Sequence, residues 1–77
     1  MARIAIVEDE FIVAMDIRHS LERRNHEVVG IYDSGEELLE RFEQIWPELV
    51  LMDIQIKGDL DGVETSALLF ERYGIPV

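Results

Sequence analysis

Cysteine is absent from this chain, which excludes a disulfide scaffold and any thiolate metal site. The absence fits a reducing compartment, and a cytoplasmic location is the default expectation. Basic residues are scarce: 7 Lys and Arg stand against 17 Asp and Glu, for a formal net charge of −10. So acidic a chain repels the phosphate backbone, which argues against nucleic acid as a direct partner and suits a cation. Long apolar runs are missing too, since none approaches the ~20 residues that a membrane span needs. The stretch before Glu8-Asp9-Glu10 is too short and too acidic for a signal peptide. No internal repeat, low-complexity tract or linker interrupts the chain.

What remains is the composition of one small folded domain, residues 1–77. Hydrophobic residues make up 48%, which excludes a disordered tail. A chain near this length hides only about 60% of the surface its unfolded form exposes, so a thin core is expected.

The most informative stretch is Leu49-Val50-Leu51-Met52-Asp53. Four apolar residues in a row read as a strand buried on both faces, and the run stops on a carboxylate. Ile4-Ala5-Ile6-Val7 repeats the design, followed at once by Glu8-Asp9. Two such strands that each end in acid make a candidate site.

The rest of the chain alternates with these strands. Phe11 to Arg24 has a helical pattern with Ala14, Ile17 and Leu21 on one face, and Asn25 is its expected left-handed stop. Glu27 to Tyr32 reads as a second strand. Ser34 with Glu37 predicts a capping box for a helix whose apolar stripe is Leu38, Phe42 and Ile45, ended by Pro47. A loop from Ile54 to Leu60 carries Gly58. Asp61, with Glu64 three residues on, caps a third helix, which Ala67, Leu68 and Phe70 to Tyr73 continue and Gly74 stops. Ile75-Pro76-Val77 opens what reads as a fourth strand.

Strand–helix alternation predicts an α/β fold with a parallel sheet and right-handed crossovers. In open sheets of this kind ligands sit at the carboxyl ends of the strands, where Glu8, Asp9 and Asp53 all fall. Neighbouring strands lie about 4.8 Å apart, so three carboxylates there repel one another. Either one holds a proton at a raised pKa, or a cation neutralises the group. Mg2+ suits two or three carboxylates with a backbone carbonyl and waters. An aspartate beside such an ion can attack phosphorus and form an acyl phosphate. Taken singly, Asp9 and Asp61 read more simply as helix caps and Asp53 as a solvated strand end. Their joint placement on two buried strands favours a site.

Ile6-Val7-Glu8-Asp9-Glu10, then Leu51-Met52-Asp53-Ile54, then Asp61-Gly62-Val63-Glu64 resembles the receiver domain of two-component response regulators. The likeness runs from the first strand to Val77. It implies a flavodoxin-like, doubly wound parallel sheet with strand order 2-1-3-4. It implies that Asp53 accepts a phosphoryl group from a sensor histidine kinase or a phosphotransfer protein. Asp9 becomes a direct Mg2+ ligand, Glu8 a ligand directly or through water, and the backbone carbonyl of Gln55 completes the protein's share of the shell. The only catalysis implied is transfer onto the chain's own aspartate.

Two departures stand out. The loop Gln55-Ile56-Lys57-Gly58-Asp59-Leu60 lacks the proline common after the acceptor and is one residue longer than the usual form. The fifth strand, the last helices, and the family's later Ser/Thr, aromatic and Lys have no counterparts within these residues. The expectation is therefore a partial receiver that binds Mg2+ weakly, is phosphorylated poorly, and self-associates along the exposed fourth-strand edge.

Two other classes compete. Counting twelve from Asp53 puts Gly58 sixth, Asp61 ninth and Glu64 twelfth, a partial match to a calcium-binding EF-hand loop. Against it, Lys57 occupies a ligand position and the entering segment is β-like. The second alternative is a structural or interaction module that keeps the fold without phosphotransfer. His19 and His26 read as surface residues, Arg23-Arg24 as a solvated helix end. Trp46 is expected to close the second helix against the sheet, with Phe11, Met15, Phe42 and Phe70 in or near the core.

Overall fold

In the computed structural model, which describes residues 1–77, six elements alternate along the chain. They are strand β1 (Arg3–Val7), helix α1 (Phe11–Arg23), strand β2 (Glu27–Tyr32), helix α2 (Gly35–Ile45), strand β3 (Leu49–Met52) and helix α3 (Gly62–Tyr73). The strands pair in parallel in the order β2-β1-β3. Ala5 and Val7 of β1 join Val50, Leu38, Phe42 and Leu69 in one core cluster, so this face of the sheet meets α2 and α3. Strand side chains alternate, so the equally buried Ile4 and Ile6 point the other way, toward α1. A central strand hidden on both faces requires helices on both, which is the doubly wound arrangement. The core is thin, as its length implies: 13 of 77 residues are buried.

Each helix owes its place to one narrow stripe. α1 buries only Ala14, with Ile17 and Leu21 half-buried beside it. α2 buries Leu38 and Phe42, as its spacing predicts. α3 turns a different face inward from the one expected: Gly62, Thr65 and Leu69 are buried, Ala67 is exposed and Phe70 is 70% exposed. Phe70 follows Leu69 by one residue, about 100° around the helix, and so points to solvent. Phe11 is 72% exposed rather than near-core, because α1 begins beyond the strand ends with no sheet beneath its first turn. Met15 is half-buried.

α2 and α3 approach closely where Gly35 meets Thr65. A Cβ on Gly35 would overlap the Thr65 side chain, whose buried hydroxyl donates to the Asp61 carbonyl at 2.8 Å. At the other end Phe42 stacks on Tyr73 with ring centres 3.9 Å apart. Trp46 stands edge-on to both rings at 5.2 Å and is half-exposed, so it closes α2 against α3 and not against the sheet.

The ends of the helices follow their capping chemistry with one correction. The box expected at Ser34 is half made: the Ser34 hydroxyl accepts from the Glu37 N–H at 3.1 Å, but Glu37 returns no bond. The reciprocal box is at Asp61 and Glu64. Asn25 adopts the left-handed conformation past α1. Before Pro47 the chain leaves helical geometry through Trp46, also left-handed at φ 38°. The Arg3 guanidinium then donates to the carbonyls of Ile45 and Trp46 at 2.6 and 2.8 Å, satisfying the end of α2 from the start of β1. His26 is half-buried, not on the surface, and its Nδ1 accepts from the Ala2 N–H at 3.0 Å.

Ile75–Val77 lies where a fourth strand would, against β3, yet forms no ladder. One bond is made, from the Val50 N–H to the Pro76 carbonyl at 3.2 Å. Pro76 has no N–H to return.

Candidate functional site

Strand register builds the site. β1 and β3 pair from Ile4 with Leu49 through to Val7 with Met52, so the next rung sets Glu8 beside Asp53. The Asp53 N–H donates to the Val7 carbonyl at 3.0 Å, and the Glu8 N–H to the Tyr32 carbonyl at 2.9 Å. Both carboxylates therefore leave the sheet along one edge. A bulge in β2, where Val29 is passed over between the pairs Ile4–Val28 and Ala5–Gly30, brings Tyr32 level with Val7.

The acids beyond β1 fold back on themselves. Glu8 accepts the Glu10 N–H at 3.1 Å, and side-chain oxygens of Glu8, Asp9 and Glu10 lie within 4.8 Å of one another. Asp53 accepts the Gln55 N–H at 3.4 Å. Glu8 and Asp53 also share the wall of a depression of about 310 Å³ floored by Ile6, Val7 and Met52. That apolar floor is the main reason Glu8 is held above the ordinary carboxylate pKa. The Glu10 N–H opposes the rise, and the neighbouring Asp53 and Asp9 charges add to it.

All three acids singled out from the sequence thus sit on one edge. Glu10, not among the site residues expected from the sequence, joins Glu8 and Asp9 in the tight cluster, while Asp53 stands against Glu8 from the neighbouring strand. The signal for Glu10 was adjacency: a third acid following directly on the strand-end pair. The Gln55 carbonyl accepts no hydrogen bond from the chain. A donor set made only of anionic and carbonyl oxygens, with no sulfur and no imidazole, fits a hard divalent cation such as Mg2+.

The loop from Asp53 to Gly62 is tied down on three sides. The Gly62 N–H donates to the Ile54 carbonyl at 2.8 Å, and a Cβ on Gly62 would collide with the Asp53 and Ile54 backbone, so only glycine fits there. Lys57 bridges Ser34, its N–H donating to the Asp33 carbonyl at 3.2 Å. Its ammonium stands 3.8 Å from Asp33, an exposed pair that contributes little. This geometry gives the calcium-loop reading no support. The segment entering the loop is strand β3, and the Asp61 and Glu64 carboxylates are engaged in capping each other's backbone N–H.

An oxygen-rich acidic edge at the carboxyl ends of a doubly wound parallel sheet is the arrangement of a CheY-like receiver fold. The family model described as "Response regulator receiver domain" matches residues 4–77, and the chain belongs to that family. Among curated proteins it is 31% identical over 75 residues to the transcriptional regulatory protein PdtaR of Mycobacterium tuberculosis, covering 97% of this chain and 36% of that protein. It is 33% identical to the sensory transduction protein LytT of Bacillus cereus, covering 99% of this chain and 31% of that protein. The chain thus spans about a third of the length of these relatives. Among solved structures, the receiver domain of a modulated diguanylate cyclase from Desulfovibrio desulfuricans superposes with TM-score 0.93 at 37% identity, over 99% of this chain and 60% of that one. The response regulator PhyR of Brucella abortus gives 0.91 at 38%, over 99% and 31%. No helix is long and apolar enough to cross a membrane.

Proposed function

We propose that the chain accepts a phosphoryl group on Asp53 from the phosphohistidine of a sensor histidine kinase or phosphotransfer protein, in the cytoplasm. Mg2+ would be held by Asp9 and Glu8, by Asp53 itself and by the Gln55 carbonyl. The observation that carries this reading is the rung on which Glu8 and Asp53 face each other. Two carboxyls crowded on an apolar floor raise the Glu8 pKa, and a divalent ion relieves that repulsion. When bound, the ion supplies charge neutralisation for the incoming phosphoryl oxygens. The chain's own part is to present an Asp53 oxygen as nucleophile. That oxygen forms the new bond to phosphorus as the bond to the donor nitrogen breaks, the electron pair leaving with the imidazole. No second substrate is turned over. The direct test is intact mass after incubation with acetyl phosphate and Mg2+. Gain of one phosphoryl group, lost on adding hydroxylamine, supports an acyl phosphate; an unchanged mass overturns the reading. Calcium binding tighter than magnesium would revive the EF-hand alternative.

Replacing Glu8 with glutamine separates the fold from the site. The folded chain holds Glu8 above its ordinary value of 4.5, so it retains a proton that the unfolded chain has released. Stability from protonated Glu8 is present at acid pH and is lost as pH rises through the raised pKa. Above that window, without Mg2+, Glu8→Gln is expected to unfold at a slightly higher urea midpoint than wild type, the gain kept small because solvent screens the partly exposed carboxyl. Mg2+ stabilises the variant less than wild type. Equal Mg2+ stabilisation of both would remove Glu8 from the ion's shell.

The outer edge of β3 supports the remaining partner reading. Leu51, Met52, Ile54, Val63 and Val77 line an apolar groove of about 420 Å³ beside it, and Pro76 makes the one bond along it. Produced as these 77 residues, the chain is expected to self-associate through that edge. Sedimentation velocity from micromolar to millimolar concentration checks this, and a monomer throughout would rule it out.

A further inference from the structure

Glu36 has no part in the phosphoryl-transfer reading, yet it is the side chain that grips the loop leaving Asp53. It sits in the first turn of α2, and its Oε2 accepts the backbone N–H of Asp59 at 2.7 Å and of Leu60 at 3.1 Å, 23 and 24 residues along the chain. Its other oxygen is buried with no partner and lies against Gly58, where a Cβ would overlap it. Gly58, at φ 95°, is the residue that lets the loop pass so close. Hydrogen bonds from its own N–H and from Leu60 and Asp59 hold this carboxylate below the ordinary glutamate range. It is therefore ionised at neutral pH and accepts charge-assisted bonds, the strong kind.

These contacts reach the site through few bonds. The loop is fastened at Lys57 to Asp33, at Asp59 and Leu60 to Glu36, and at Gly62 to Ile54. Ile54 and Gln55 are the two residues directly after Asp53, and both are exposed. Beyond Gln55 the loop is held by the half-buried Ile56, which packs against the core cluster, and by the Glu36 contacts to Asp59 and Leu60.

We infer that Glu36 is a positioning residue: by clamping the Asp59 and Leu60 amides it holds the loop after Asp53, and with it the unbonded Gln55 carbonyl, in one conformation, and so sets Mg2+ affinity. This rests on the proposed Mg2+ site. The long, proline-free loop gives the clamp its purpose. A proline would stiffen the turn from within, whereas here an acid on the neighbouring helix stiffens it from outside.

The test uses the intact protein with Glu36→Ala, which removes the grip, and Glu36→Gln, which keeps one acceptor oxygen. Amide hydrogen exchange and Mg2+ titration by calorimetry are both read, at a temperature where each variant is folded. Glu36→Ala is expected to speed exchange at Asp59, Leu60 and Gln55 and to weaken Mg2+ by about tenfold, the scale on which partners that orient metal ligands act. Glu36→Gln is expected to restore most of both. Saturating Mg2+ is expected to bring the acetyl phosphate labelling rate of Glu36→Ala back to near wild type, since affinity alone is altered. Should Glu36→Ala fail to fold, Glu36→Gln decides the matter by a smaller loss in the same two readouts. Unchanged Mg2+ affinity with faster loop exchange overturns the inference and leaves the Mg2+ site standing. Wild-type protein that binds no Mg2+ overturns both, and the exchange data distinguish the two cases.

Discussion

Asp53→Asn is expected to abolish covalent phosphorylation while leaving the fold intact. The side chain keeps its shape, and its carbonyl oxygen can still accept the Gln55 N–H that Asp53 receives at 3.4 Å. What it loses is the anionic oxygen. An amide does not form an acyl phosphate, so the nucleophile is gone and not merely weakened. The change also removes one of the two negative charges that crowd Glu8, so Glu8 returns toward its ordinary pKa. Without Mg2+ the variant should therefore be at least as stable as wild type. That combination, dead chemistry on a sound fold, is what a nucleophile gives and a structural residue does not. Intact mass after acetyl phosphate and Mg2+ provides the first half of the check, and a urea titration the second. Labelling of Asp53→Asn at the wild-type rate would move the acceptor elsewhere, with Asp9 the next carboxylate to test. Loss of labelling together with loss of fold would make Asp53 a structural residue and favour the interaction-module alternative.

Much of this arrangement is legible in the sequence. The continuous runs at Ile4–Val7 and Leu49–Met52 read as strands hidden on both faces; β1 is buried from Ile4 to Val7, whereas β3 lies at the sheet edge and buries only Val50, with Leu49, Leu51 and Met52 half-buried. An acid directly after each run then had to fall on the carboxyl edge. Helix ends were legible where a single residue decides them: Asn25 and Gly74 in the left-handed conformation, Asp61 with Glu64 as a closed box.

What failed to show were faces and partners set by the rest of the fold. α3 has apolar residues on more than one side, so Phe70 and Thr65 could not be ranked from spacing. A threonine is buried and a phenylalanine exposed because Gly35 brings α2 within touching distance of Thr65. Glu36 is one of two acids in the first turn of α2, and its grip on Asp59 and Leu60 joins positions more than 20 residues apart. Local pattern holds no trace of such a contact. The same holds for Arg3, whose guanidinium satisfies a helix end 42 residues away.

Phe42→Ala is expected to have the largest effect on stability. A chain of this size is stabilised by roughly 4–12 kcal/mol in all, at the usual 0.05–0.15 kcal/mol per residue. Truncating a fully buried phenylalanine to alanine costs about 3–5 kcal/mol, from lost transfer energy and the cavity left behind. Phe42 has no exposed area, and it belongs to the cluster of six buried residues that joins the sheet to α2 and α3. It also stacks on Tyr73 and meets Trp46, so its removal strips the aromatic contact between the two helices. Trp46 is the informative control, since it is larger yet 51% exposed and stands at the rim of the same trio. If burial decides the outcome, Phe42→Ala lowers the urea midpoint far more than Trp46→Ala. If ring size decides it, the order reverses and the core has been misplaced. The consequence reaches the site, because α2 carries Glu36 in its first turn and Phe42 is what seats α2 on the sheet. Phosphorylation of Phe42→Ala should therefore follow its folded fraction measured in the same buffer. Full labelling from a largely unfolded variant would show that Asp53 chemistry needs no assembled site.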